Sequence, residues 1–264
     1  MPYWCSDCRS YFSVRTGTAL ERSKVPLRKW AFAIYIVTTS LKSVSSMKLH
    51  RDLGVTQKTA WFMLHRLREA WASGSTASFS GPVEVDETYV GGKEQNKPTA
   101  KRRHVGGGTG GKTAVVGAKD RETNQVTAQV IDRANSATLN TFVDSRVAEG
   151  AMVYTDGSTA YKGRENHEAV RHSVGEYVRY LEGVKIHTNG IESFWSMLKR
   201  AHKGTFHRLS PKHLQRYVNE FAGRHNIRDR DTIDQMHSIV AGMVGKRLMY
   251  RDLTADNGRS AVAG

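Results

Sequence analysis

The hydrophobic period of this chain changes once, and that change limits what it can become. Up to about residue 72, apolar residues recur at three- and four-residue intervals, the spacing of helices with one buried face. From Pro82 to Ile131 they follow the pattern of strands. Between the two regimes runs SGSTASFS (73–80), small and polar, the expected linker. The reading is a helical unit over 19–72, a linker over 73–81, a sheet-based unit over 82–230, and a C-terminal helix with a tail over 231–264. A chain of 264 residues accommodates one small and one larger domain.

Within the first regime, Pro26–Ser40 reads as a helix with Pro26 just inside its start. Leu27, Trp30, Ala31, Ile34 and Val37 form its apolar stripe. In SSMKLHRDLGVTQKTAWFMLHRLREAW, Ser45 caps a short helix to Leu53, Gly54 breaks it, and Thr56 caps a second helix. Ala60, Met63, Leu64 and Leu67 face inward on that second helix. Helix, Gly turn, helix at this spacing is a helix-turn-helix signature, which would expose Gln57, Lys58, Thr59 and Arg66 to DNA. The alternative is a plain helical hairpin. Ahead of this unit, residues 1–18 carry Cys5 and Cys8 in a C-x-x-C followed by aromatic and β-type residues, like the second half of a zinc ribbon. A closed zinc site needs four ligands, and one C-x-x-C supplies two, so this is read as a remnant knuckle and Zn²⁺ is not expected.

The net charge of +15 points to a polyanionic partner, nucleic acid first. The longest apolar stretch, Trp30–Val37, is far short of the ~20 residues of a membrane-spanning helix. No secretory signal is visible, and two cysteines exclude a disulfide scaffold, so a reducing cytoplasm fits.

In the second regime, Pro82–Val90, Thr113–Lys119 and Gln125–Ile131 read as three consecutive strands. Ser136–Val147 follows as a helix and Ala151–Thr155 as a short buried strand ending at Asp156. That order predicts a mixed sheet with helices packed on it. GGGTGGKT (106–113) fits the phosphate-loop pattern, but such a loop must lie between a strand and a helix. Here a basic loop, KPTAKRRHV, precedes it and a strand, TAVVGA, follows, which argues against a nucleotide hydrolase. The segment 93–112 reads as a basic hairpin excursion, either solvated or against a nucleic-acid backbone.

Three acids stand out. Asp86 lies mid-strand in VEVDETY, where a carboxylate is costly unless paired or holding a cation. Asp156 ends the AMVYT strand, and Glu192 lies near the start of a helix in HTNGIESFWSMLKR. Each alone has a structural explanation: an ion pair, a turn, a helix-start charge. Brought together, they repel one another unless divalent cations are bound. All-oxygen ligands suit Mg²⁺ or Mn²⁺, and two such ions activate a water or 3′-hydroxyl against a phosphodiester. Lys199, two helical turns after Glu192, would reach the DNA backbone.

The segments FSVRTGT, LRKWAFAIY, GVTQKTAWFMLHRLREA, VEVDETYVGGK, VYTDGSTAY, HSVGEYV, HTNGIESFWSMLKRAHKGTFH and HLQRYVNEFAGRHN occur in one order over nearly the whole chain. In these motifs the sequence resembles the DDE transposases of bacterial insertion sequences, in the ISXO-like branch. The resemblance implies an α/β (α+β) fold: a ribonuclease-H-like mixed sheet with flanking helices, preceded by the helix-turn-helix unit and the partial ribbon. It puts Asp86, Asp156 and Glu192 on the catalytic, metal-holding positions and makes Lys199 their basic companion. Asn189, Glu220 and Arg224 fall in supporting places. It further implies metal-dependent cleavage of element ends, transfer of the 3′-hydroxyl to target DNA, and homodimers or larger assemblies on paired ends in a bacterial cytoplasm. Some members carry Asn at the third acid, where this chain has Glu192. Relatives usually carry a complete zinc ribbon, so a weaker grip on DNA ends is expected here. The rival readings are a DNA-binding regulator with an inactive core and a nuclease of the same fold that never joins strands.

Overall fold

The computed structural model describes residues 3–72, 78–92, 96–102, 109–170, 178–181 and 183–255. They divide into two units, one made of Met1–Ser73 with Ile227–Val262 and the other of Gly74–Asn226.

The first unit opens with a small antiparallel hairpin, β1 (Tyr3–Cys5) and β2 (Ser10–Phe12), with Cys5 opposite Ser10. Both cysteines are free thiols, and Cys8 Sγ lies 2.9 Å from Ser10 Oγ. Helix α1 (Leu27–Thr39) follows, with Pro26 at its N-cap, one residue outside the expected place. Its buried stripe is Trp30, Ala33, Ile34 and Val37, while Leu27 and Ala31 are exposed. At about 100° per residue, Ala31 is rotated well off the stripe through Trp30 and Ile34, and Leu27 overhangs the first turn. Helix α2 (Ser46–Leu53) starts where Ser45 accepts the Lys48 N–H and stops at Gly54, whose φ of 56° is left-handed. Helix α3 (Gln57–Arg68) begins where the Thr56 hydroxyl accepts the Thr59 N–H at 3.2 Å.

Arg66, expected on the open face of α3, is buried at 8% exposure. The segment Arg22–Pro26 flanks that part of α3, and the guanidinium lies over the Phe62 ring. The C-terminal segment, read from sequence as a separate piece, supplies part of this core: Ile239 and Met243 are buried among Trp30, Leu49 and Leu67.

The second unit is built on a five-stranded sheet. Strands β3 (Val83–Val90), β4 (Thr113–Asp120) and β5 (Val126–Ile131) form an antiparallel meander. Helix α4 (Ser136–Asp144) crosses over to β6 (Val153–Asp156), parallel to β3, and β7 (His167–Val170) adds in parallel outside it. The spatial order is β5-β4-β3-β6-β7. A hairpin of β8 (Arg179–Leu181) and β9 (Val184–Ile186) leads into α5 (Asn189–Ala201), a π-helical turn, and α6 (Leu214–Asn226). One sheet face, through Val83, Val85 and Val116, packs on Leu139 and Phe142 of α4. The other, through Val115, Val126 and Ala128, packs on Ile191, Trp195 and Phe221 of α5 and α6. This is the mixed α/β sheet with flanking helices that the resemblance implies.

Helix α4 ends earlier than its pattern suggested, because Val147 leaves it to bridge Phe79 in parallel. Phe79, inside the expected linker, is thereby buried, and residues 73–77 of that linker lie outside the described residues. Thr113, the last position of the phosphate-loop pattern, opens β4 and no helix follows it; Gly106–Gly108 lie outside the described residues. So do most of HSVGEYV and the tail from 256 onward; before that tail, α8 (Tyr250–Thr254) closes the last of the described chain after α7 (Thr232–Gly242). Among the described residues, no helix is long and apolar enough to cross a membrane.

Helix α5 sits close to the sheet because Gly117 on β4 has no side chain: a Cβ there would lie 2.6 Å from the Trp195 ring. Gly117→Ala is therefore expected to destabilise the second unit by about 1–3 kcal/mol, while Gly204→Ala, with nothing within 4 Å of its added Cβ, leaves the thermal midpoint unchanged or slightly higher. Thermal unfolding of the two variants checks both.

Candidate active site

Strand β3 carries three acids of alternating aspect: Glu84 and Asp86 on the face toward α5, and Glu87, with Val85, on the face toward α4. It pairs with β6 only through Val83↔Val153 and Glu84↔Tyr154. Beyond Glu84 the edge of β3 is open toward the C-terminal end of β6, where Asp156 stands. Asp86, Glu87 and Asp156 meet there, each with a carboxylate oxygen within 4.8 Å of the others.

The three acids are half-buried, and few partners offset their charge. Asp156 Oδ1 accepts the Ser158 N–H at 3.2 Å. Glu87 Oε1 accepts the Tyr161 hydroxyl. Burial, then the charges of Asp156, Glu87 and Glu192, push the Asp86 carboxyl up to about 7, against a smaller opposing effect of the Glu87 N–H. Burial also raises Glu87, opposed by the Tyr161 hydrogen bond. Burial and the Glu87 charge in turn hold the Tyr161 phenol well above its usual range.

Glu192 lies in the first turn of α5, where its Oε1 accepts the Thr188 hydroxyl at 2.8 Å. It stands outside the tight trio, although its charge acts on Asp86. Of the three acids singled out in the sequence, the fold therefore brings Asp86 and Asp156 together and sets Glu192 at their margin. Glu87 takes the third place in the cluster. Its signal was the second acid of VDET, next to Asp86, to which the sequence reading gave no role. Lys199 is exposed on α5, as is Asn189 at its start. Glu220 and Arg224 form a 3.7 Å ion pair within α6, with burial lowering the Arg224 pKa against the Glu220 charge. In the first unit Gln57 and Lys58 are exposed and Thr59 is half-buried.

The position of α5 against Asp86 has its own support. Glu84, at 2% exposure, accepts the Ile191 N–H at 2.9 Å and the Arg121 Nε–H at 2.9 Å. His187 Nδ1 lies 3.2 Å from the same carboxylate. Arg121 also donates to Lys185 O at 2.7 Å and His187 O at 2.6 Å, and its guanidinium lies 4.2 Å over the Tyr154 ring. One carboxylate and one guanidinium thus tie β3, the end of β4, β9 and the start of α5.

A cluster of hard oxygen donors carrying uncompensated negative charge fits a divalent cation such as Mg²⁺ or Mn²⁺. A family model of the ISXO2-like transposase domain matches residues 78–226, nearly the whole second unit. The chain belongs to this transposase family. A protein of transposable element ISH50 from Halobacterium salinarum, itself described as uncharacterized, is 31% identical over 241 residues, covering 85% of this chain and 78% of that one. The simian T-cell lymphotropic virus intasome, solved in complex with PP2A regulatory subunit B56 gamma, superposes over 66% of this chain and 67% of its own at 14% identity. Its TM-score of 0.31 is too low to bear on function.

For this transposase the elevated Asp86 pKa has a consequence for stability. The folded pKa, about 7, lies above the ordinary ~3.9 of an unfolded Asp. Its contribution is therefore fully present below pH ~4 and lost as the pH rises through 7. In chelator at pH 8, Asp86→Asn is expected to stabilise the protein by about 2–4 kcal/mol, falling to about 1 kcal/mol at pH 5. Denaturant unfolding at the two pH values measures this.

Proposed function

We propose that this transposase cuts DNA at the ends of its insertion sequence and joins the freed 3′-hydroxyl to target DNA, with Asp86, Asp156 and Glu192 as the metal-holding carboxylates. The observation that carries the reading is the close approach of Asp86 to Asp156 at the open edge of β3, with the Asp86 carboxyl held near neutral pH. Mg²⁺ or Mn²⁺ bound there, as one or two ions, would stabilise charge on the phosphodiester oxygens and acidify the attacking water or 3′-hydroxyl.

The chain's own residues do the rest. Asp86 gives up its proton near pH 7, so cation binding releases a proton and strengthens as pH rises through that range. Asp156 is oriented by the Ser158 N–H and Glu192 by the Thr188 hydroxyl. Glu87, held by Tyr161, adds negative charge beside them without being free to swing away. Lys199 offers an exposed ammonium two turns along α5 from Glu192, about 10 Å on, to a strand phosphate. No covalent enzyme intermediate is required. In the helical unit, α3 would enter the DNA groove with Gln57, Lys58 and Thr59 at its leading end. A net charge of +15 favours backbone contact and makes affinity salt-dependent. Paired ends call for at least two copies of the chain on DNA, in the cytoplasm.

The test incubates the purified chain with labelled DNA carrying the ends that flank its gene, with Mg²⁺ or Mn²⁺ or chelator. Asp156→Asn runs alongside. Metal-dependent nicking at the ends and joined products, both reduced at least ~10³-fold in the variant, are expected. Nicking without joining would make the chain a nuclease, and binding without any metal-dependent cleavage would make it a regulator.

A further inference from the structure

The helical unit contains a cavity of about 430 Å³ between the segment preceding α1 and the outer side of α3. Its wall carries four cations, Arg22, Lys24, Lys29 and Arg66, and no carboxylate. Three of them are accounted for at the surface. Lys29 Nζ donates to Gly54 O at 3.1 Å, Arg22 lies 3.7 Å from Glu21, and Lys24 is exposed to water.

Arg66 is different. It is 8% exposed, and its Nε has no hydrogen-bond partner among the described residues. Its guanidinium lies 4.5 Å over the Phe62 ring, a contact that replaces only part of the lost hydration. Burial lowers its pKa, against the smaller opposing effect of the Glu21 charge. A guanidinium in a cavity with a cationic wall is a fork awaiting an anion. Thr56 and Thr59 line the same cavity at the N-terminal end of α3, and Arg66 lies in that helix's last turn. The rim, at Arg22 and Lys24, is exposed, so a polymer can present a group to it from outside.

We propose that this cavity is a phosphate site that receives a backbone phosphate of a DNA strand lying against α3, with Arg66 as the inner donor and Arg22 and Lys24 at the rim. The proposal rests on the reading that the helical unit binds DNA, and it assigns Arg66 to the strand backbone instead of an open reading face. An Arg on that face would contact bases. An Arg at the bottom of a cavity cannot reach them, and it adds affinity without sequence preference.

The test uses the full chain without metal and two variants, Arg66→Met and Lys24→Gln. Thermal unfolding is followed in phosphate and in chloride at equal ionic strength. Binding of a labelled duplex is followed by anisotropy over a range of salt. Phosphate is expected to raise the wild-type midpoint above chloride and to leave Arg66→Met unmoved. Arg66→Met should melt no lower than wild type, because it loses an unsatisfied charge, yet bind DNA about tenfold more weakly with a log–log salt slope smaller by about one. Lys24→Gln, at an exposed position where folding is not at stake, should lose about one unit of slope as well. Wild-type affinity and slope in either variant would overturn the proposal. So would a phosphate response without any effect on DNA binding, which would assign the cavity to a free phosphate compound. Both readouts are independent of cleavage: a chain that binds through Arg66 but never cuts sinks the strand-transfer reading alone. A chain that cuts while Arg66→Met binds normally sinks the phosphate site alone.

Discussion

Glu84 has to find partners. A carboxylate at 2% exposure between a sheet and a helix would otherwise cost several kcal/mol. It finds the Arg121 guanidinium and the Ile191 N–H, one of the amides at the start of α5 that has no partner within the helix. That choice sets the position of α5 along β3. Glu192 is the next residue after Ile191, and Asp86 lies two along the strand from Glu84, on the same face. The register of the helix against the strand is thus the register of one acid against the other. Gly190 belongs to the same arrangement, since a Cβ there would lie 2.7 Å from Glu84 Oε2.

Two neighbouring acids on one strand therefore live in opposite conditions. Glu84 faces a guanidinium and a helix amide. Asp86 is buried beside three further carboxylates, and burial first, then their charges, hold its proton to about neutral pH. The arrangement suits the cation proposed for the second place and needs nothing added at the first. A well-satisfied charge gives rigidity, and the rigidity allows an unsatisfied cluster to persist beside it.

Much of this was legible in the sequence, for local reasons. The alternation of VEVDETYV specifies a strand whichever fold contains it. Ser45, Gly54 and Thr56 mark their helix ends because capping is a contact within four residues. Asp86 stood out because an acid in an apolar strand needs a reason. What escaped were matters of distant packing. Arg66 was read as exposed because its place on α3 is polar by period, but the segment before α1 flanks it. Glu87 was given no role, because a residue next to Asp86 on a strand points to the opposite face, and that its carboxylate still reaches Asp156 depends on distant packing. Ala33 takes the place read for Ala31 because 100° per residue carries Ala31 off the stripe, a difference that two identical small residues do not signal by type. Glu84 was passed over because its partners, Arg121 and Ile191, lie far along the chain.

The helical unit draws its core from both ends of the chain. Trp30, Leu49 and Leu67 are made early, and Ile239 and Met243, which pack among them, are made nearly last. On the ribosome the helices of the N-terminal half emerge first and wait with that apolar face uncovered while the whole sheet domain is synthesised. A message cut short between residues 227 and 238 yields a chain whose second unit is complete but whose helical unit lacks two of its buried side chains. The two units thus differ in what truncation does to them: the sheet unit is finished by a continuous stretch of chain, and the helical unit only by its return.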